Sequence, residues 1–299
     1  MFRFPTRVAA LPIAAALIGT PVFALALPIL GDDLSSFAVL GASTVTNVPT
    51  SVVQGNVGVG IGPAVTGFTA VAGAAVADVQ VTDGLVHSTT PTAQSAQSQL
   101  SIARGYLASL GIGAMLGADL AGLTLAPGVY TVAAGVTNLS GTLILDGGGN
   151  ANAAWVFHMP STLITSSDAV VSIVGAGPGA GLFWNVGSSA TLGSGTEFLG
   201  NILASASITA ATGATNLCGR LLAETEAVTL EQNSLSIGCD GALAESGGLG
   251  GGLDVVDGGE VVFRAYAPLT AAVPLPAGIL LLVSGFAALI AARGRRPAA

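Results

Sequence analysis

The sequence predicts a mainly β fold, a solenoid of short strands wound into stacked coils, and three observations point to it. Between Gly181 and Gly238 a pattern repeats: Gly181-Leu-Phe-Trp, Gly200-Asn-Ile-Leu-Ala and Gly219-Arg-Leu-Leu-Ala open units spaced nineteen residues apart. Each unit then carries a triplet of apolar, Thr, apolar or small: Ala190-Thr191-Leu192, Ile208-Thr209-Ala210, Val228-Thr229-Leu230. The composition, 8% charged with 43 glycines in 299 residues, lacks the high charge and low hydrophobicity of a disordered chain.

Strand alternation sends Ile208 and Ala210 to one face and Thr209 to the other, so stacking coils buries the first pair and lines up the threonines outside. One coil cannot bury its own apolar face, whereas a stack can; at about 200 residues the stack is a single domain, spanning residues 30–240. The triplet threonines stand 18 and 20 residues apart, which predicts a loose stagger between coils.

Leu34 to Thr46 reads as strand with turns, and Val52 to Gly62 as another coil whose glycines at 55, 58, 60 and 62 suit sharp corners. Val65-Thr66-Gly67 repeats the triplet in weaker form. The spacing then becomes helical over about 91–110: Thr90 is the N-cap, Pro91 takes the first helical position, and Gly111 ends the run. Ala96, Leu100, Ala103, Leu107 and Leu110 form one apolar stripe that can cover a side of the solenoid, with the Gln and Ser residues expected in water. Coils resume at Leu120 through the Pro127-Gly128 turn, Val136-Thr137, Leu139 to Leu145 and the turn at Asp146 to Gly149. Trp155 to Met159, Leu163 to Thr165 and Val170 to Ile173 make the sides of the next coil, so two blocks of coils flank one helix. Residues 241–272, with Gly247 to Gly252 at their centre, read as a flexible linker, in which Glu260 to Tyr266 is a weak strand candidate.

Both ends carry targeting signals. Arg3 and Arg7, an apolar run from Val8 to Ile18 and then Ala24-Leu25-Ala26 have the order of a secretory signal peptide over residues 1–26; a membrane anchor is the alternative. Val273, Pro274, Leu275, Pro276 and Ala277 precede an uncharged stretch to Ala292 and then Arg293, Arg295 and Arg296. From Leu275 this apolar span is 18 residues, just long enough to cross a bilayer with the basic tail inside. Residues 273–299 resemble a bacterial VPLPA-type C-terminal sorting signal, which implies recognition by a sorting protease at the inner membrane; a plain tail anchor is the alternative. Cys218 and Cys239 are the only cysteines, 21 residues apart and close to one coil, which places them on neighbouring turns within reach of a disulfide.

Composition and spacing also exclude. A formal charge of −8 argues against nucleic acid. No Lys follows the Gly-rich loop near Gly55, so it is no phosphate cradle. Asp78, Asp83, Asp119, Asp146, Asp168, Glu197, Glu224, Glu226 and Glu231 are thinly spread, and only Arg104 and Arg220 accompany them, a poor supply for carbohydrate hydrolysis or elimination. His87 falls in a loop before the helix and His158 alone in a strand; neither joins the cysteines in a metal set. No enzyme, cofactor, metal or small-molecule substrate is expected.

Leu34 to Asn47, Gly55-Asn-Val-Gly58, Val65 to Phe68, Leu123 to Tyr130, Gly141 to Asp146, Trp155 to Phe157, Phe183 to Leu192 and Gly219 to Ala223 together resemble the ice-binding proteins of bacteria, fungi and diatoms. That resemblance implies a right-handed, three-sided, discontinuous β-helix (solenoid) with one long α-helix packed alongside, and an ice-binding surface on one flat face. The partner it implies is the surface of an ice crystal. A level sheet face of small hydroxyl and methyl groups with few charges can order water into a layer that merges with the ice lattice. By pattern the candidate residues are Thr66, Thr137, Thr191, Thr209 and Thr229, with Ser189 and Ser207 two residues earlier on the same face. Glu224, Glu226 and Glu231 depart from a charge-poor face on the last coil. The alternative is a cell-surface structural or adhesion protein that uses the same solenoid without ice.

Overall fold

A computed structural model of the protein describes residues 26–269. The expected signal peptide, apart from Ala26, lies outside these residues, as do the motif Val273 to Ala277 and its apolar span. Among the described residues no helix is long and apolar enough to cross a membrane.

Short parallel strands stack into three ladders. The first contains Ala114–Leu116, Gly128–Val132, Ala154–Met159, Gly181–Val186, the later halves of Glu197–Ala204 and Thr215–Ala223, then Phe37–Gly41, Asn56–Val59 and Val86–Ser88. The second contains Leu163–Ile164, Ala190–Leu192, Ile208–Ala210, Val228–Glu231, Thr44–Val48 and Ala64–Thr66. The third runs from Thr124–Leu125 through Thr142–Asn150, Val170–Ala176, the opening residues of the two long strands, Ser234–Ser236 and Val52–Gln54 to Val81–Thr82. Spatial order is not chain order. Residues 37–88 build one end of the stack, the helix carries the chain to the far end, and residues 114–236 return until Leu221, Thr229 and Leu235 pair with Val39, Thr46 and Val53.

The helix lies on the first ladder, so its strands from Ala154–Met159 onward are largely buried on both faces and are mostly apolar without alternation, while Ala114–Leu116 at the far end stays exposed. Ala154, Val156, Phe183, Leu203 and Leu222 meet the helix, while Trp155, Phe157 and Trp184 point into the solenoid. Phe157 and Trp184 stack with ring centroids 4.2 Å apart, continued by Tyr130 and Phe198. Each such ring or Leu removed from water contributes about 1.5–3 kcal/mol.

The helix spans Pro91–Ser109, and Thr90 Oγ1 accepts from the Ala93 N–H at 3.2 Å. Ala93, Ala96, Leu100, Ala103 and Leu107 are buried as the stripe requires. Gln97 departs from the expectation of a solvated face: it is 7% exposed and donates to the Ala223 and Glu224 carbonyls, bonding the helix to the last coil. The strand register is also stricter than the sequence spacing suggests. Thr191, Thr209 and Thr229 are direct partners; a bulge between Asn216 and Gly219 and a longer turn before Ala227 absorb the unequal coil lengths. Gly181 and Gly200 are therefore not partners, since Phe183 pairs with Asn201.

Residues 241–269 are not the loose linker expected. Leu27–Pro28, Leu253–Val256 and Glu260–Phe263 form a small antiparallel sheet, Leu249 and Leu253 are fully buried, and Arg264 pairs with Asp254. Glycine makes this fit possible, because a Cβ on Gly251 would meet the Gly179 carbonyl oxygen at 2.4 Å. Cys218 and Cys239 form the disulfide, with Cα atoms 4.7 Å apart. Arg220, 2% exposed and without a carboxylate, donates to the Ser35, Gly247 and Gly248 carbonyls and to Asn201 Oδ1. Burial pulls its guanidinium down to about 10, so it is still cationic at neutral pH. It ties the first residues of the body, the last coil and the C-terminal segment together.

The two histidines sit at the two ends of the helix. His87 belongs to the buried strand Val86–Ser88 rather than a loop, with Nδ1 2.9 Å from Thr90 Oγ1, and His158 lies beside the Gly111 backbone. Burial lowers both pKa values, so the unfolded chain binds protons more readily. Stability should be full above the ordinary histidine range near pH 6.5 and fall as pH drops through it towards the depressed folded values; a melting temperature unchanged between pH 7 and 5 contradicts this. Arg220→Met strands four acceptors, and at about 1–3 kcal/mol for each it should cost at least about 4 kcal/mol in urea unfolding, where an unshifted midpoint refutes the clamp.

Candidate functional site

The second ladder is where alternation and stacking meet. Its strands send Leu163, Ala190, Ile208, Val228 and Val45 into the core at 0–1% exposure, which leaves the neighbouring positions pointing out. Those positions are in register across all six strands: Ile164, Thr191, Thr209, Thr229, Thr46 and Thr66. Two residues earlier on the same face stand Thr162, Ser189, Ser207, Ala227, Thr44 and Ala64. With parallel strands about 4.8 Å apart and same-face residues about 6.6 Å apart, these groups form a two-dimensional net of hydroxyls and methyls. Ser207 Oγ donates to Ser189 Oγ at 3.0 Å, joining two rungs of that net.

Of the predicted residues, Thr66, Thr191, Thr209 and Thr229 share the central row, and Ser189 and Ser207 flank it. Thr137 does not join them. It lies outside any strand, and the next residue, Asn138, is what bonds the Ile164 edge: its Oδ1 accepts from the Ile164 N–H at 3.0 Å. Thr46, Thr44 and Thr162 complete the face but were not predicted as part of it. Thr44-Val45-Thr46 carries the same alternation as the triplets, yet its place beside Thr229 comes from a pairing between the first and last coils that no sequence period displays.

The carboxylates expected to spoil the last coil are mostly withdrawn. Glu224 turns to the helix and pairs with Arg104, whose Nε and Nη2 donate to Asn185 and the Val186 carbonyl. Glu231 stands at the ladder's edge opposite Val48 and accepts from Thr212 Oγ1 at 3.0 Å. Glu226 occupies the exposed turn before Ala227, where its carbonyl receives the Ala42 N–H. No Lys or Arg lies on these strands.

A buried polar column along one border holds the ladder level. Successive turns pass through Asp168, Gly195, Gly213 and Gln232, all with φ between 55° and 73°, where glycine or a short polar turn residue is tolerated. Beneath them Thr165 and Thr196 hydroxyls meet at 2.8 Å, Asn233 Nδ2 donates to the Ala211 and Ala214 carbonyls, and Ser51 Oγ accepts from the Asn233 N–H. These side chains satisfy turn groups that would otherwise be buried without partners. Asn233→Ala strands two carbonyls, so a loss of about 2–4 kcal/mol is expected, with faster hydrogen exchange at Thr229 and Leu230 than at Phe157. Uniform exchange across the coils would contradict a local role.

Comparison with known proteins adds to this geometry. The family model described as Ice-binding-like matches residues 39–236. An ice-binding protein of Nostoc sp. (strain HG1) is 42% identical over 206 residues, 69% of this chain and 72% of that protein. An ice-binding protein of Leucosporidium sp. (strain AY30) is 30% identical over 64% of this chain and 77% of its own length. Among solved structures, the ice-binding protein of the Antarctic ascomycete Antarctomyces psychrotrophicus superposes with a TM-score of 0.60 at 30% identity, covering 72% of this chain and all of that one. The ice-binding protein 1 domain of Shewanella frigidimarina gives 0.62 at 28% identity, covering 70% and 97%.

Proposed function

This chain belongs to the ice-binding-like family, and on that premise we propose that it binds ice through the second ladder, with antifreeze or recrystallisation-inhibiting effect. The observation that carries the location is the single central row from Thr191 to Thr66, in register and free of basic residues. Threonine suits such a surface because its branched side chain holds few rotamers on a strand, so hydroxyl and methyl keep fixed positions relative to the backbone net. Water bound at such fixed points loses little further freedom on joining a lattice. A flexible or charged side chain would hold water in an order of its own. The right-handed, three-sided coil implied by the family resemblance belongs to this reading, as does the level face between two of its corners. A structural role without ice is not favoured, because the relatives named above are themselves ice-binding proteins.

The reading extends to location. Residues 1–26 direct export, and Val273 to Ala277 with the apolar span after it bring the chain to a sorting protease at the inner membrane, leaving the body at the cell surface or released. What supports this is the order of charge, apolar run and small residues at one end and of motif, span and arginines at the other.

The test uses residues 27–269, because ending the chain at 245 would remove the buried Leu249 and Leu253. Thr209→Tyr raises a ring above the central row and should abolish most thermal hysteresis and recrystallisation inhibition while the melting temperature stays near the parent's. Ile144→Tyr, an outward position of the third ladder, should leave both intact. Full activity in Thr209→Tyr would move the ice face elsewhere.

A further inference from the structure

The path of the C-terminal segment marks out a side of the body that lies away from the second ladder. In each coil the chain passes from the first ladder to the second, then to the third, then back to the first. The second ladder therefore borders two of the three stacks of turns, and the third stack, residues 149–153 and 177–180 among them, lies on the edge away from it. The C-terminal segment follows that far edge. Gly250 bridges Gly181, the Gly251 N–H donates to the Ala180 carbonyl, Asn152 Nδ2 donates to the Ala265 carbonyl, and the Leu269 N–H donates to the Gly149 carbonyl. The N-terminal strand Leu27–Pro28 pairs with Leu253–Val256 of the same segment.

Three large apolar side chains stand out where the described chain ends on this edge: Phe263 at 42% exposure, Tyr266 at 64% and Leu269 at 41%. Arg264 among them is engaged with Asp254 at 2.7 Å, so the patch is apolar rather than cationic. Only residues 270–274 separate Leu269 from the apolar span that begins at Leu275. Even fully extended, that connection reaches no more than about 20 Å. A bilayer that holds the span must lie within that distance of the patch. Tyr266 donates its hydroxyl to the Gly149 carbonyl at 3.3 Å, which fixes its exposed ring on this edge, and aromatic rings held in this way suit the headgroup level.

We propose that Phe263, Tyr266 and Leu269 seat this edge on a neutral lipid bilayer, turning the threonine ladder to the opposite side. The proposal rests on the membrane-span and ice-face readings above and deepens them: while the span is still attached, the body presents its ladder away from the bilayer without rearrangement. An anionic surface is not the partner, since the chain carries a formal charge of −8 and the patch offers no free cation.

The chain from Leu27 to Ala299 is reconstituted into phosphatidylcholine vesicles containing lipids with a nitroxide on the headgroup. Tyr266→Cys and Thr191→Cys variants are labelled singly with a fluorophore, because Cys218 and Cys239 are held in the disulfide. Severalfold stronger quenching at 266 than at 191 is the expected result. Equal quenching at both positions, stronger quenching at 191, or quenching at neither overturns the proposal. Co-flotation with the vesicles reads insertion of the span and thermal hysteresis of the unlabelled parent reads ice binding, so loss of either reading and loss of this orientation give different signatures.

Discussion

The parallel pairing of the last coil with the first holds the molecule together as one solenoid. The C-terminal block supplies Ile164, Thr191, Thr209 and Thr229 to the central row, and the N-terminal block supplies Thr46 and Thr66; only the pairing of Val228–Glu231 with Thr44–Val48 makes them one surface. Bonds between residues more than 180 positions apart cluster at that joint: Arg220 to the Ser35 carbonyl, the Asn233 N–H to Ser51 Oγ, and Ser236 Oγ to Gln54. Loop-closure entropy grows only slowly with length, so such a distant joint is thermodynamically modest but kinetically late. The helix bridges both blocks, and Gln97 fastens it to the strand end at Ala223 and Glu224.

Polar chemistry is divided between the two sides of the sheet. Inside the corner, Thr165, Thr196, Asn233 and Ser51 are at most 3% exposed and hydrogen-bonded to turn carbonyls or to each other. Outside, threonine and serine point to solvent. A threonine at 196 therefore fixes a turn, and a threonine five residues earlier at 191 faces solvent. The buried set sets the level of the exposed one, because each turn it fixes determines where the next strand begins.

Much of this was legible in the sequence, for identifiable reasons. Strand alternation made the inward and outward assignment of Ile208, Thr209 and Ala210 readable from one coil, and the Thr90-Pro91 start with its four-and-three stripe located the helix to within a residue. The cysteine pair was readable because one coil separates its members. Local pattern failed where long-range contact decides. Thr46 looks like any strand threonine until Thr229 is beside it. Thr137 carries the right local pattern but falls in a turn that Asn138 pins. Gly247 to Gly252 has a linker's composition, yet Gly251 and Gly252 serve close approach to residues 179–180 and 152–154 and Leu249 fills the core. Gln97 reads as a solvated position until the last coil offers it two carbonyls.

Charge placement supports the same face independently of threonine counting. A chain with a formal charge of −8 and 16 acidic residues has ample opportunity to place carboxylates on any exposed strand, and the last coil carries three glutamates close to the ladder. One of these, Glu224, is drawn to Arg104 on the helix; another, Glu231, is held at the edge by Thr212; Glu226 sits in a turn outside the strands. An ionised carboxylate organises its own hydration strongly, so even one in the central row would compete with lattice order across its neighbours. The geometry that withdraws Glu224 also docks the helix, so clearing the face and closing the core draw on one contact.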